Sequence, residues 1–379
     1  MAGKGLLLKA DPIADTFRDE VKTALDRTTR KPRLVGILAT SSAPSKFYAE
    51  FTKKQCEDLG FDFVLKRTGA AFSEEAGEGE GVEEAIIEAN EDPNVNGIMV
   101  YYPIFGPQQD HYLQQARYRV DLAACAHSVS RWSLHIRMLR GFTSSSTTIC
   151  TTSELAIQPP MTFSPHANIS IRFLEPESLL KSGLPTAVAV IEGENPPPGT
   201  VKSILPCTPL AIVKCLEHIG VYNKILPYGD RAYGRTVTVI NRSEVVGRPL
   251  AALLANDGAR VFSVDIDSIQ EYTKRPQVSG QSDAARKYHP HHVVHPSNST
   301  LQECLAISDV VISAVPSASY KVATDWLKDG CICVNVAADK NFEKNVRDKT
   351  SMYIPAVGKV TILMLLRNLL RLQQYKTNV

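Results

Sequence analysis

The stretch VTVINRSEVVGRPLAALLANDGARVFSVD, Val237 to Asp265, limits the folds open to this chain more than any other. Thr236 to Asn241 (TVTVIN) reads as a strand and Pro249 to Asp257 as a helix stopped by Gly258. Arg260 to Asp265 (RVFSVD) reads as the next strand. Strand, turn, helix and strand in this order make half of a dinucleotide-binding unit. The turn holds no G-x-G-x-x-G. It runs Asn241-Arg242-Ser243-Glu244-Val245-Val246-Gly247-Arg248-Pro249. Gly247 lets backbone approach a phosphate closely, and Pro249 suits a first helical turn, where its missing N–H is not needed. The N–H groups at that helix start can hold a pyrophosphate, with Arg242 and Ser243 adding donors. Asp265 ends the second strand, where a carboxylate accepts hydrogen bonds from the adenosine ribose and repels a 2′-phosphate. It therefore favours NAD over NADP. The competing reading makes Asp265 a turn cap only, and leaves Arg242 or Arg248 to meet a 2′-phosphate.

The rest of the chain supplies a second unit of similar kind. Asp15 to Arg27 reads as an amphipathic helix with Phe17, Val21 and Leu25 on one side. Leu34 to Ala39 (LVGILA) is a short apolar run, as expected of a strand covered on both faces. Lys46 to Leu59 reads as a helix ending at Gly60, Phe61 to Leu65 as a strand, Val82 to Asn90 as a helix and Gly97 to Tyr102 as a strand. That βαβαβ order predicts a parallel sheet. Pro209 opens a helix to about Gly220, while Asp309 to Ala314 and Cys331 to Val336 continue the later strands. Thr361 to Gln374 carries leucines at i, i+3 and i+4 spacing and predicts a docking helix. The expected architecture is two α/β domains around a cleft, the second Rossmann-like, with the C-terminal helix returning to the first. The boundaries fall at 1–208, 209–358 and 359–379.

Ala116 to Gly199 breaks the pattern: periodicity is poor, SSSTTICTT is low in complexity, and Pro159-Pro160 and Pro196-Pro197-Pro198 interrupt it. An insertion and translated non-coding sequence are the two readings of this stretch. Gln270 to Ser299 reads as a polar surface insertion, and its His289, His291, His292 and His295 as a solvated loop, since HxHH is not a structural zinc spacing. No metal is expected. With 42 basic and 40 acidic residues the net charge is +2, which argues against nucleic-acid binding by bulk charge. The eight cysteines are scattered without a CxxC pair and read as buried thiols of a reducing compartment. No apolar run spans a bilayer, and Met1 to Ala10 is too short an apolar core for a secretory signal, so the expected location is the cytosol.

At the nucleotide turn the sequence resembles the R-S-x-x-V-G-x-P signature of the methylenetetrahydrofolate dehydrogenase family, through Arg242, Ser243, Val246, Gly247 and Pro249. Ile204 to Pro209 (ILPCTP) resembles that family's proline-cysteine-threonine-proline turn near the nicotinamide. Ala89 to Tyr102, including Asn96 to Val100, resembles its strand into the folate cleft, and Pro355 to Asn368 its closing strand and helix. The matches cover about the first 115 residues and most of Lys202 to Leu372, and the likeness is greatest to the monofunctional NAD-dependent branch known from fungi. The resemblance implies NAD as cofactor, a folate substrate, a homodimer paired through the nucleotide domain, and a place in one-carbon metabolism and purine biosynthesis. It implies cofactor contacts at Thr208, Asn241, Arg242, Ser243, Val246, Gly247, Arg248, Pro249, Asp265, Ala314, Val315 and Pro316. Tyr48 and Cys207 are the implied catalytic positions, Cys207 as a positional rather than nucleophilic group. Tyr48, Thr52, Tyr101, Pro103 and Asp121 are the implied substrate contacts.

Three departures bear on activity. The family's tyrosine is followed four residues later by a lysine that serves the cyclohydrolase step; here Tyr48 is followed by Thr52. Lys53 and Lys54 lie about a hundred and two hundred degrees further around a helix and cannot take that face. The family's glutamine on the cleft strand is replaced by Tyr101. The motif whose acid meets the pterin is missing, and Arg119-Val120-Asp121-Leu122 is its nearest echo. Oxidising a methylene bridge between two nitrogens needs only hydride departure, whereas hydrolysing the product needs activated water and proton transfer. The expectation is therefore a dehydrogenase without cyclohydrolase. The alternatives are a bifunctional enzyme, or a non-catalytic folate- or nucleotide-binding protein disabled by the middle stretch.

Overall fold

The computed structural model describes residues 4–102, 104–105, 110, 173–174, 201–202, 204–275, 289 and 291–377. The chain opens with β1 (Leu6–Leu7) and α1 (Asp11–Asp26), which starts four residues earlier than its apolar spacing predicts because Pro12 suits a first turn. β2 (Arg33–Leu38), α2 (Ala43–Leu59), β3 (Asp62–Arg67), α3 (Val82–Glu91) and β4 (Val95–Val100) follow. β2 is the middle strand, parallel to β3 on one side and β4 on the other, as the βαβαβ order requires. α2 buries Ser45, Ala49, Thr52, Cys56 and Leu59, a stripe of alternating three- and four-residue steps. It stops at Gly60, whose φ of 85° is open to glycine at little cost.

Within the middle stretch, β5 (Phe173–Leu174) pairs antiparallel with β6 (Val201–Lys202), which lies just past its end. Then come α4 (Cys207–His218), β7 (Thr236–Ile240), α5 (Gly247–Asn256), β8 (Arg260–Val264), β9 (Ile269–Thr273), β10 (Val293–Ser297), α6 (Leu301–Ile307), β11 (Val310–Ser313), β12 (Ile332–Asn335), β13 (Met352–Ile354) and α7 (Gly358–Thr377). Eight strands form one sheet in the order β1-β13-β12-β11-β7-β8-β9-β10. Its central strands are buried on both faces, which is why they read as short apolar runs. The first strand of the chain thus completes the far sheet, Leu6 opposite Met352, rather than the domain that follows it.

Two expectations fail at the other edge. Gln270 to Ser299 is not a surface insertion throughout, since β9 runs antiparallel to β8 and β10 to β9. Tyr272 and Thr273, adjacent on β9 and so facing opposite sides of the sheet, are both buried. His292 is not solvated either. It is 3% exposed, its ring stacks on Tyr272 at 5.5 Å, and its backbone N–H donates to Asn256 Oδ1 at 3.0 Å.

One apolar core runs through both sheets. It takes in Ile13 and Val21 of α1, Leu34 of β2, Leu210 and Leu216 of α4, Leu250 and Leu254 of α5, and Ile362, Leu366 and Leu369 of α7. α7 packs on α1 and α4, and Arg367 Nε pairs with Glu20 at 3.0 Å. It is covered almost all round, more than an amphipathic pattern implies, because both units close on it. Among the described residues no helix is long and apolar enough to cross a membrane.

Candidate cofactor and substrate site

In an open parallel sheet, ligands bind at the carboxyl ends of the strands where the strand order reverses. In the large sheet β8 lies on one side of β7 and β11 on the other, so the order reverses between β7 and β11. Asn241, the first residue after β7, bridges that point. Its N–H donates to Val264 O at 3.0 Å and its Nδ2 to Ala314 O at 2.7 Å, beyond β11. Its φ is 82°, and among the described residues it is the one non-glycine in the left-handed region. Asparagine tolerates that conformation better than most residues, and such outliers cluster at functional sites.

The turn after Asn241 folds back on itself. Ser243 Oγ accepts from the N–H groups of Val246 and Gly247, each at 3.3 Å, and Ser243 O accepts from Arg248 N–H at 3.0 Å. The start of α5 therefore holds its donors internally, though the two contacts to Oγ are long and can be exchanged for stronger ones. A Cβ on Gly247 would overlap the carbonyl oxygen of Asn241, so this position needs glycine for the closure of the turn itself. Pro249 is buried in the first turn of α5.

Both arginines of the turn are engaged. Arg242, expected to add a donor for pyrophosphate, instead donates through Nε to Ser263 Oγ (3.1 Å), through Nη1 to Ser268 Oγ (3.0 Å), and through Nη2 to Ser263 O (2.6 Å) and Ser268 O (2.9 Å). Burial draws it below the usual guanidinium value, opposed by the nearby Tyr272 and Asp265. Arg248 Nη2 lies 3.2 Å from Glu244 Oε1. Burial pushes the Glu244 carboxyl up to about 7 against the pull of Arg248.

Asp265 stands exposed at the end of β8, as the sequence places it. Its N–H donates to Ser268 O at 2.9 Å and its Oδ1 accepts from Ile266 N–H at 3.0 Å, so the turn-cap geometry is present and Oδ2 remains. Across the crevice, residues 314–316 are held by two fully buried asparagines that the sequence did not flag. Asn341 Oδ1 accepts from Val315 N–H and Ser313 Oγ, both at 3.0 Å, and its Nδ2 donates to Val315 O at 2.9 Å. Asn335 Oδ1 in turn accepts from Asn341 N–H at 2.8 Å. Their signal in the sequence is a polar residue at the end of an apolar strand, and it is weak. Pro316 is exposed and Thr208 half-buried.

The small sheet reverses its order between β2 and β4, and Tyr48 of α2 and Tyr101 after β4 meet at that end, ring centroids 6.2 Å apart and edge-on. Tyr48 is half-buried and Tyr101 buried. Thr52 has no exposed surface, and its Oγ1 donates to Tyr48 O at 2.8 Å, so it presents nothing to a substrate in this structure. Asp110, a further residue the sequence reading missed, is buried and accepts from Ile104 and Phe105 N–H groups, shaping the turn after β4. Pro103 and Asp121 lie outside the described residues. Cys207 is buried at the start of α4, beside Asn368 of α7, whose Nδ2 donates to Leu205 O at 2.8 Å and reaches Cys207 Sγ at 3.5 Å. Burial pushes Cys56 and Cys215 up to about 12, which makes them inert thiols. Among the described residues no group of His, Cys, Asp and Glu can hold a metal.

These features define a two-domain α/β protein with a dinucleotide crevice at the β7–β11 reversal. Residues 8–118 match the family described as tetrahydrofolate dehydrogenase/cyclohydrolase, catalytic domain, and residues 206–279 match its NAD(P)-binding domain. The chain is 38% identical to methylenetetrahydrofolate dehydrogenase [NAD(+)] of Schizosaccharomyces pombe, over 97% of this chain and 93% of that one. The Saccharomyces cerevisiae protein of the same name is 39% identical over 98% and 97%. The solved structure of the NAD-dependent 5,10-methylenetetrahydrofolate dehydrogenase from Saccharomyces cerevisiae superposes with a TM-score of 0.72 at 38% identity, over 98% of each chain. The chain belongs to the tetrahydrofolate dehydrogenase/cyclohydrolase family.

Proposed function

We propose that this protein oxidises 5,10-methylenetetrahydrofolate to 5,10-methenyltetrahydrofolate with NAD. The observation that carries the cofactor choice is the pairing of Asp265 at the end of β8 with two arginines already engaged, Arg242 by Ser263 and Ser268 and Arg248 by Glu244. A carboxylate suits ribose hydroxyls, and the Arg242 guanidinium, spent on Ser263 and Ser268, is not offered to a 2′-phosphate. Bound in this crevice, NAD would supply a hydride acceptor for the methylene bridge, a transfer that needs no proton release from the substrate. The protein's part is then positioning. Ser243, Val246, Gly247, Arg248 and Pro249 line the pyrophosphate turn, Asn241 and residues 314–316 flank the crevice, and Thr208 and Cys207 edge the nicotinamide end. Tyr48 borders the folate, with Tyr101 behind it.

Cyclohydrolase activity is absent on this reading, because Thr52 is a buried hydroxyl spent on its own helix and offers no amine to a water. We place the domain divide near Thr208, with residues 209–358 as the nucleotide unit and the helix of 359–379 returning to the first unit while also packing on α4. The protein works in cytoplasmic one-carbon metabolism, including the supply of purine biosynthesis, as a homodimer paired through the second unit, where β10 leaves a sheet edge open. The test is reduction of NAD on adding methylenetetrahydrofolate. With NADP the rate should fall at least tenfold, about the worth of one charge-assisted hydrogen bond. Equal rates with both cofactors would overturn the Asp265 assignment, and no reduction of either would favour a binding protein without turnover.

A further inference from the structure

Arg242 poses a physical question that the family signature does not answer. It is buried, 8% exposed, and its four contacts are to neutral oxygens of Ser263 and Ser268. Among the described residues no carboxylate lies within ion-pair distance of it. A buried cation without a contacting anion is costly, so a hydrocarbon side chain here would serve packing better. What Arg242 does hold is one short turn. β8 and β9 are antiparallel with Val264 opposite Ile269, and the four residues between them are Asp265 to Ser268. Ser263 lies two residues before Asp265. Ser268 O accepts both from Arg242 and from the Asp265 N–H. The planar guanidinium fork thus fixes both ends of the turn from beneath, which a point charge such as lysine cannot do.

We propose that Arg242 is the positioning residue for the ribose carboxylate: by clamping the β8–β9 turn it sets Asp265 for NAD, and by the same contacts it is withheld from a 2′-phosphate. The proposal rests on the reading of Asp265 as the ribose acceptor. It gives a signature arginine a role in cofactor choice without contact with the cofactor.

The test compares Asp265→Asn, Arg242→Ala, Arg242→Lys, Ser268→Ala and the double variant Asp265→Asn/Arg242→Ala in the full chain. Each is assayed for kcat and KM with NAD and with NADP, with unfolding temperature as the folding control. Asp265→Asn should raise KM for NAD about tenfold with kcat within about twofold. Arg242→Ala should do the same, Arg242→Lys should stay close to it because the fork is lost, and Ser268→Ala should raise KM by about threefold. The double variant should add less than about twofold to either single one, since both act through one carboxylate. If Arg242→Ala does not fold, Ser268→Ala carries the decision. An unchanged KM for NAD in Arg242→Ala or Ser268→Ala, effects that multiply in the double variant, or a loss confined to NADP would each overturn the proposal while leaving Asp265 in its role. An unchanged KM in Asp265→Asn would instead sink the ribose reading, and the proposal with it.

Discussion

The nucleotide turn and the Tyr48 cleft treat the family's letters in opposite ways. At the turn the signature is kept, but Arg242 and Ser243 face inward, onto Ser263, Ser268 and the start of α5. At the cleft two signature positions are replaced, by Thr52 and Tyr101, and both replacements are buried. A motif residue therefore reports neither contact nor direction by itself. What decides is whether its polar atoms are already satisfied within the chain. On the proposed reading, the turn holds its own donors at the dinucleotide crevice, while Thr52, buried and bonded within its helix, offers no group for a proton-transferring activity.

Thr52→Lys tries to undo the closure and should have the largest effect. A lysine at a position with no exposed surface costs about 3 kcal/mol or more of stability. The variant should unfold at lower urea without gaining hydrolysis of methenyltetrahydrofolate. A stable variant with that activity would show that the two regions differ by one residue only. Gly247→Ala attacks the other side. The new methyl must displace the Asn241 carbonyl, at about 1–3 kcal/mol, so kcat/KM for NAD should fall about 10- to 100-fold while folate protection against proteolysis persists. Normal kinetics would mean the turn opens freely.

A smaller effect is expected at Glu244, whose carboxyl stands at about 7 in the fold against an ordinary 4.5. The fold prefers its protonated form, so that stabilisation is complete below about pH 4.5 and is lost as pH rises through 7. Glu244→Gln should then gain stability relative to the natural protein between pH 5 and pH 8, by about 1 kcal/mol after allowing for solvent screening. Thermal unfolding across that range checks it, and a gap that narrows with pH would contradict the burial argument. Tyr48→Phe should do least. Hydride departure moves no proton, so kcat should stay within about threefold, and a larger loss in a rate measured at saturating folate would make the hydroxyl part of the chemistry.

Periodicity made most elements legible because each depends on near neighbours. The stripe of α2 and its Gly60 stop, the strand before Asn241, and Asp265 at the end of the next strand stand where the sequence predicts them. Long-range placement was not legible. Nothing in Leu6–Leu7 says that the strand joins β13, more than three hundred residues away, and the polar look of Gln270 to Ser299 hid two antiparallel strands of the large sheet. Asn335, Asn341 and Asn368 escaped notice for a related reason. A buried amide is chosen by the backbone groups that converge on it, and those come from distant segments.

The largest apolar cluster, which threads α1, α4, α5 and α7, has a mechanical consequence. Swinging the two sheets apart would uncover Leu366 and Leu369 of α7, which pack between α1 and α4, at a cost that rises with every square ångström exposed. That cost opposes a wide jaw motion and leaves the short turns at the strand ends as the parts cheapest to move.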